Sequence, residues 1–405
     1  MHPLKQFYCR TFQTVFKIAI PFLPYRTPKI VKGFHALPRV LKKEKCKNLL
    51  IITDASIRRL GLTEELESIL TAHHISYSIY DGTVANPTTK NVEEALSIYH
   101  EKHCQGIIGF GGGSSIDCAK AVGARVAKPH QPLSKMKGIL RVHRRLPFLA
   151  AVPTTAGTGS ETTLAAVITD AETRHKYVIN DFPLIPRYAI LEPRVTLSLP
   201  PFITATTGMD ALTHAVEAYI GNSTIPRTRK EALKAVHLIF QNLDRAYTNG
   251  SDIRARHYML HASFYAGCAF TKSYVGYVHA VAHSLGGEYN VPHGLANAIL
   301  LPFVLEEYGA SIHDKLKKLA IAAGVAKKST PPQEAAALFI QAIKDMKKRY
   351  GIGDYVPEIR VEDIPKLAHY ADKEANPLYP VPVLMDAKKL EKFYRILTIQ
   401  KGESL

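Results

Sequence analysis

Asp210 and His214 stand four residues apart in TGMDALTHAVEAY, residues 207–219, and HAVAHSLGGEYNVPHG, residues 279–294, carries His279, His283 and His293. On a helix, residues four apart share a face, so Asp210 with His214 and His279 with His283 each present two ligating groups side by side. A carboxylate with two or three neutral imidazoles suits Fe2+ or Zn2+, both of which accept mixed nitrogen and oxygen ligands. Spacing leaves open which histidines would coordinate and which would stand beside the ion. Either pair alone also fits a helix-surface hydrogen bond, but three buried imidazoles without partners would be costly, which favours a metal. Gly286, Gly287, Asn290 and Pro292 supply a turn able to fold His293 back.

A second group of residues suits a phosphate. GFGGGSSIDCAK, Gly109–Lys120, follows a strand-like run and opens a helix-like one. Glycines such as Gly112 and Gly113 let backbone N–H groups approach an anion, and a helix N-terminus adds partial positive charge. Ser114 and Asp117 also have capping-box spacing, which would explain the stretch without a ligand. Asp54 directly follows the first expected strand, where a carboxylate accepts hydrogen bonds from an adenosine ribose and repels a 2′-phosphate; that favours NAD over NADP. A helix N-cap is the alternative role for Asp54. PTTAGTGSETT, residues 153–163, adds Thr154, Thr155, Thr158 and Ser160 as hydroxyl donors.

These residues need elements to position them. Asn48–Thr53, Ser76–Tyr80, Gly106–Phe110, Phe148–Val152, Ala165–Thr169 and Tyr188–Leu191 read as strands, with helical periodicity over Ile57–Ala72 and Val92–His103. Alternation of this kind predicts a parallel sheet with crossover helices. After about residue 200 the period is helical: 204–220, 229–248, 253–271, 275–287, 296–308, 313–324 and 332–349. The expected organisation is a basic arm (1–30), a Rossmann-like α/β domain with a parallel sheet (31–197) and an all-helical domain (198–405).

With 405 residues and 46% hydrophobic content the chain is globular and long enough for two cores. Five scattered cysteines without a C-x-x-C pair argue against a disulfide framework and for a reducing, cytoplasmic setting. The net charge of +17 is diffuse, without a finger or recognition-helix pattern, so no nucleic-acid partner is expected. Residues 1–43 contain no acid. Within them Leu4, Tyr8, Phe12, Val15, Phe16 and Ala19 recur at helical steps, opposite Lys5, Gln6, Arg10, Gln13 and Lys17, up to Pro21 and Pro24. A helix packed on the main body is the first expectation, and weak membrane-surface contact through residues 1–28 the second. No apolar run reaches the roughly 20 residues of a membrane span.

GGGSSIDCAK, PTTAGTGSET, GMDALTHAVEAY and HAVAHSLGGEYNVPHGLANAILLP, in this order, resemble the iron-containing (group III) alcohol dehydrogenases, over roughly residues 30–395. The resemblance implies a dehydroquinate synthase-like architecture, with a Rossmann-like domain, a helical domain and the active site in the cleft between them. It further implies a metal-dependent, NAD-linked interconversion of a primary alcohol or diol and its aldehyde. Asp210, His214, His279 and His293 fall on its metal positions, for Fe2+ or alternatively Zn2+, and His283 beside the nicotinamide as a proton relay. Asp54, Asn86, Gly113, Ser114, Thr154, Thr158 and Lys176 fall on cofactor positions, joined by Gly112, Asp117 and Thr155 of the same motifs. Phe270 falls on the substrate pocket, with Ala165 and Val167 as further wall residues. Lys272 and Glu192 depart from the family pattern. Glycerol dehydrogenase, maleylacetate reductase and hydroxyacid–oxoacid transhydrogenase activities share the scaffold and are the alternatives. A homodimer or larger homo-oligomer is expected.

Overall fold

The computed structural model describes residues 1–398; residues 399–405, the end of the expected helical domain, lie outside the described residues. The chain divides into two compact units, one of Pro24–Ser198 and one of Met1–Leu23 together with the chain from Leu199 onward. The first helix, α1 (Pro3–Ala19), therefore belongs to the helical unit and is not a detached arm.

In the α/β unit the elements run β1 (Lys29–Val31), α2 (Leu37–Lys43), β2 (Asn48–Ile52), α3 (Ala55–Arg59), α4 (Glu64–Ala72), β3 (Ser76–Tyr80), α5 (Thr89–Glu101), β4 (Gly106–Gly111), α6 (Gly113–Ala127), α7 (Leu133–Met136), β5 (Gly138–Ile139), β6 (Phe148–Pro153), β7 (Ala165–Thr169), β8 (Lys176–Asn180) and β9 (Tyr188–Ile190). Six strands form a parallel sheet in the order β1-β9-β6-β4-β2-β3. Both faces are covered, which is why its central strands read as unbroken apolar runs. Leu49, Ile51 and Ile108 join one buried cluster, while Leu50, Ile52 and Ile107 join the other.

Several expectations need correction. Ile57–Ala72 is two helices, because Gly61 takes a φ of +66° and ends the first. Ala165–Thr169 lies outside the main sheet: β7 pairs antiparallel with β8 in a small sheet ordered β5-β8-β7. A strand's apolar pattern does not encode its partner, so the sequence could not separate the two sheets. The sequence reading does not include β1, β5 or β8: β1 and β5 have three residues or fewer, too short for a period, and β8 buries only Tyr177 and Ile179 within a short run.

The helical unit continues with α8 (Pro201–Ile220), α9 (Pro226–Thr248), α10 (Ile253–Ser273), α11 (Tyr277–Tyr289), α12 (His293–Tyr308), α13 (His313–Ala323), α14 (Pro332–Arg349), α15 (Ile364–Ala375) and α16 (Ala387–Leu397). No strand occurs in it among the described residues. α8 is its central rod: every residue from Gly208 to Ile220 is buried. The stretch His293–Ala323 is long and apolar enough to cross a membrane, contrary to the expectation that none is. It is two helices, and 61% of its most apolar window is buried, as befits core.

Candidate metal and nucleotide sites

In the α/β unit, the chain lays down β2, moves outward to β3, then returns to place β4 on the other side of β2. Ligands bind parallel sheets of this kind outside the carboxyl ends of the strands at such a reversal. Asp54 follows β2 there, and Gly111–Gly113 end β4 and begin α6. A Cβ on Gly109 would lie 2.9 Å from the Ala119 Cβ, so that glycine lets α6 press on the sheet. Gly111 has a φ of +151°, and a Cβ there would sit 2.5 Å from Ser115 Oγ and 3.7 Å from Asp54 Oδ2. The glycine run and Asp54 thus meet.

Asp54 does serve as the N-cap of α3, its Oδ1 accepting from the N–H groups of Ser56 (2.9 Å) and Ile57 (3.0 Å). The capping box expected from Ser114 and Asp117 does not form. α6 starts earlier, at Gly113 after an N-cap at Gly112, which leaves Ser114 inside the first turn. Ser114 Oγ instead accepts from the Asn86 N–H at 3.3 Å, and Lys176 Nζ donates to Asn86 Oδ1 at 2.8 Å. Three expected cofactor residues are therefore linked directly. Thr158 lies within 3.4 Å of a Cβ position on Gly113, and Thr155 within 3.8 Å of one on Gly112, so the hydroxyl loop faces the glycine run. Thr154 is buried at the loop's start.

Asp117 anchors that loop, accepting from Ser160 Oγ at 2.6 Å and from the Val167 N–H at 3.0 Å. Next to it Lys120 is fully buried and donates to Ser160 Oγ (3.0 Å), Thr163 Oγ1 (2.7 Å) and the Ala165 carbonyl (2.7 Å). Burial lowers its pKa to about 8, against the pull of Asp117 and Glu161. Neither Lys120 nor Glu161 was singled out from the sequence, although both sit in the quoted motifs. Ala165 and Val167 are half-buried on β7.

In the helical unit, Asp210, His214, His279 and His293 converge, with one ligand atom from each lying within 4.8 Å of all the others. α8 supplies Asp210 and His214 on one face, α11 supplies His279, and the turn between α11 and α12 brings back His293. Asn290 makes that turn with a φ of +55°, a left-handed conformation that asparagine tolerates. His293 Nε2 is 3.5 Å from Asp210 Oδ1. The His214 ring lies 4.6 Å from that of His279 and stacks on Phe270 at 4.1 Å with a 12° tilt. Burial, and then the neighbouring histidines, holds His279 well below the ordinary imidazole value. Burial likewise lowers His293 to about 4, against the pull of Asp210. Both rings are neutral near pH 7, with lone pairs available for a cation.

Three residues that the sequence reading missed complete this cluster. Glu217 Oε2 accepts from His279 Nδ1 (2.6 Å) and the Gly276 N–H (2.8 Å), while Oε1 accepts from the Val278 N–H (2.8 Å). It is buried on α8 three residues after His214, a helical spacing that was legible in the motif. Asn297, one turn after His293, donates to Asp210 Oδ1 at 2.8 Å. Glu374 Oε1 lies 2.6 Å from His283 Nδ1 and accepts from the Tyr379 hydroxyl at 2.6 Å. It is 91 residues away in sequence, and nothing in the pattern pointed to it.

The donor set fits a divalent metal. With Nδ1 bonded to Glu217, the His279 Nε2 is buried and has no hydrogen-bond partner among the described residues. A buried imidazole nitrogen left without a partner is costly unless a cation takes its lone pair. His283 stands at the edge: its side chain is 41% exposed, and its ring stacks on that of His293 at 5.1 Å. Of the two departures, Lys272 is buried 3.5 Å from Glu231, and Glu192 is buried against Arg194.

Comparison with known proteins agrees with this picture. A family model for iron-containing alcohol dehydrogenase matches residues 28–193, and the model for that family's C-terminal part matches 204–397. The 1,3-propanediol dehydrogenase of Citrobacter freundii is 37% identical over 362 residues, covering 87% of this chain and 93% of that protein. The solved alcohol dehydrogenase from Oenococcus oeni has a TM-score of 0.87 at 32% identity, covering 92% of this chain and 100% of that one. The sulfoacetaldehyde reductase from Bifidobacterium kashiwanohense, solved in complex with NAD+, has a TM-score of 0.81 at 26% identity, covering 92% and 98%.

Proposed function

The chain belongs to the iron-containing alcohol dehydrogenase family, and from that premise we propose how its own residues perform an NAD-dependent interconversion of an alcohol and its aldehyde. The substrate we assign is a small primary alcohol or diol, a class supported by the similarity to 1,3-propanediol dehydrogenase. One observation carries the reading: a carboxylate and three imidazoles gather around a point that a single cation would fill.

We assign the metal, Fe2+ or alternatively Zn2+, to Asp210, His214, His279 and His293. Bound there, the ion supplies a Lewis acid that makes an alcohol oxygen easier to deprotonate, and NAD supplies the hydride acceptor. Asp210 brings the formal negative charge, and Asn297 steadies its oxygen. Glu217 accepts the Nδ1–H of His279 and so keeps the proton off Nε2. Phe270, flat against His214, gives the substrate an apolar wall and fixes that ring. Ala165 and Val167 are assigned as further wall residues. His283, half-exposed and held by Glu374, can exchange a proton with water and is the assigned relay.

For the cofactor we assign Asp54 to the adenosine ribose, Gly112, Gly113 and Ser114 with the N-terminus of α6 to the phosphates, and Thr154, Thr155 and Thr158 to hydrogen bonds along the dinucleotide. Asn86 and Lys176 close the same site, and Asp117 holds the threonine loop in place. Residues 24–198 are thus the nucleotide-binding part and the helical unit the metal-binding part. Five buried, free cysteines support a reducing, cytoplasmic setting. A homo-oligomer is part of the proposal, and nucleic acid is not.

Metal analysis of the purified chain, paired with NADH formation on primary alcohols and diols, tests the reading. The expected result is about one ion per chain, with His279→Ala and Asp210→Ala each losing both ion and turnover. Full turnover in a metal-stripped sample overturns it.

A further inference from the structure

α1 meets the helical unit with its polar side. Lys5 Nζ lies 2.7 and 2.9 Å from the two oxygens of Asp372, and Arg10 donates to the carbonyls of Val381 and Pro382, both at 2.7 Å. Gln13, only 4% exposed, donates to the Tyr379 carbonyl at 2.7 Å. Cys9 and Ile20 are buried on the same side, and Phe16 packs edge-on against Tyr274. The opposite face is open and largely apolar, with Thr11 the polar residue within it. Leu4, Phe7, Tyr8, Val15 and Ile18 are each 58% exposed or more, and Phe22, just past the helix, is 84% exposed. At about 100° per residue the five within the helix fall in an arc of roughly 100°. A helix that spends its polar face on its own protein and offers its apolar face to water is built for a second apolar phase.

Charge identifies that phase. No acid occurs between Met1 and Lys43. The carboxylates that meet the segment, Asp372 and Asp386, are already paired with Lys5 and the terminal ammonium. Lys17 is exposed at the end of α1, and Lys315 nearby has its pKa lowered by burial and then by the positive fields of Lys17, Arg10 and Arg229. Two copies of this face would set like charges together without carboxylates to offset them. An anionic bilayer offers an apolar interior and countercharge at once. The segment also lies ahead of the family match, which begins at residue 28.

We propose that α1 and the Ile20–Phe22 turn dock the protein on an anionic lipid bilayer, the helix lying in the surface plane with its apolar face among the acyl chains. Co-sedimentation of the full chain with vesicles tests this, using phosphatidylcholine alone and phosphatidylcholine mixed with phosphatidylglycerol. Binding to the anionic vesicles is expected, weakened about tenfold without phosphatidylglycerol or in high salt. The triple variant Phe7→Ser, Val15→Ser, Ile18→Ser is expected to bind at least about tenfold more weakly. Lys17→Glu is expected to weaken only the anionic preference. Turnover and unfolding midpoint should stay at the unmodified values, which separates lost docking from lost folding or a failed catalytic assignment. Failure of the unmodified chain to bind, or equal binding by the triple variant, overturns the proposal. So does a larger assembly, seen by light scattering, that the triple variant dissolves, since a second copy would then cover this face.

Discussion

Glu217 shows how a single carboxylate can settle the state of an imidazole proposed as a metal ligand. It bonds His279 and two backbone N–H groups at the start of α11, which has no side-chain cap of its own at Gly276. Glu217→Gln leaves one acceptor oxygen: turned to His279 and the Gly276 N–H, the amide sets its NH2 against the Val278 N–H, and turned the other way it sets its NH2 against His279. The expected outcome is metal affinity reduced about 10- to 100-fold, read as ion content after dialysis against a chelator, with the fold intact by circular dichroism. Unchanged retention would remove Glu217 from this role. His283 calls for the opposite signature. His283→Ala should lower turnover and alter its pH dependence while the ion stays bound, because its ring sits at the rim and not among the converging atoms. Equal turnover in the variant would leave the relay without support.

At the scale of elements, the β4–α6 junction and the buried network under it hold the loop proposed to bind the nucleotide. Lys120 on α6 ties the loop of residues 160–165 to the helix through three hydrogen bonds. Its pKa near 8 in the folded chain stands below the ordinary 10.5. Between those two values the unfolded chain binds more protons than the folded one, so this group's contribution to stability rises with pH across that window. Below about 8 both states carry the proton and the cost of the buried charge is felt in full. Denaturant titrations at pH 8 and 10 should therefore show the unmodified protein gaining about 2 kcal/mol relative to Lys120→Met. Parallel behaviour of the two proteins would show that the lysine is not strained by burial. The same network explains one failure of local reading: Asp117 has capping-box spacing but bonds across to Ser160 and Val167, partners set by the fold.

Across the whole molecule, the candidate metal cluster draws its four residues from α8, α11 and the first residue of α12, so a bound ion cross-links helices that otherwise meet through packing and the hydrogen bonds of Glu217 and Asn297. Ligand binding to the folded form raises stability by mass action, about 4 kcal/mol at a thousandfold excess over the dissociation constant. Addition of Fe2+ or Zn2+ to metal-stripped protein should raise the unfolding midpoint by several degrees, and His279→Ala should abolish the shift. An equal shift in that variant would place the ion elsewhere.

The family resemblance singled out Asp210, His214, His279 and His293 as a ligand set, whereas the residue patterns by themselves determined the two-part organisation, the parallel sheet, the helical second half and the two i,i+4 pairs. Those features rest on apolar period, glycine position and i,i+4 spacing, all of which act over a few residues. Only the tertiary structure decided which strands share a sheet, that Glu217 and Glu374 partner His279 and His283, and that α1 turns its polar side inward. Each of those depends on a partner far away along the chain, and an amphipathic pattern states that a helix has two faces without stating which one the rest of the protein will take.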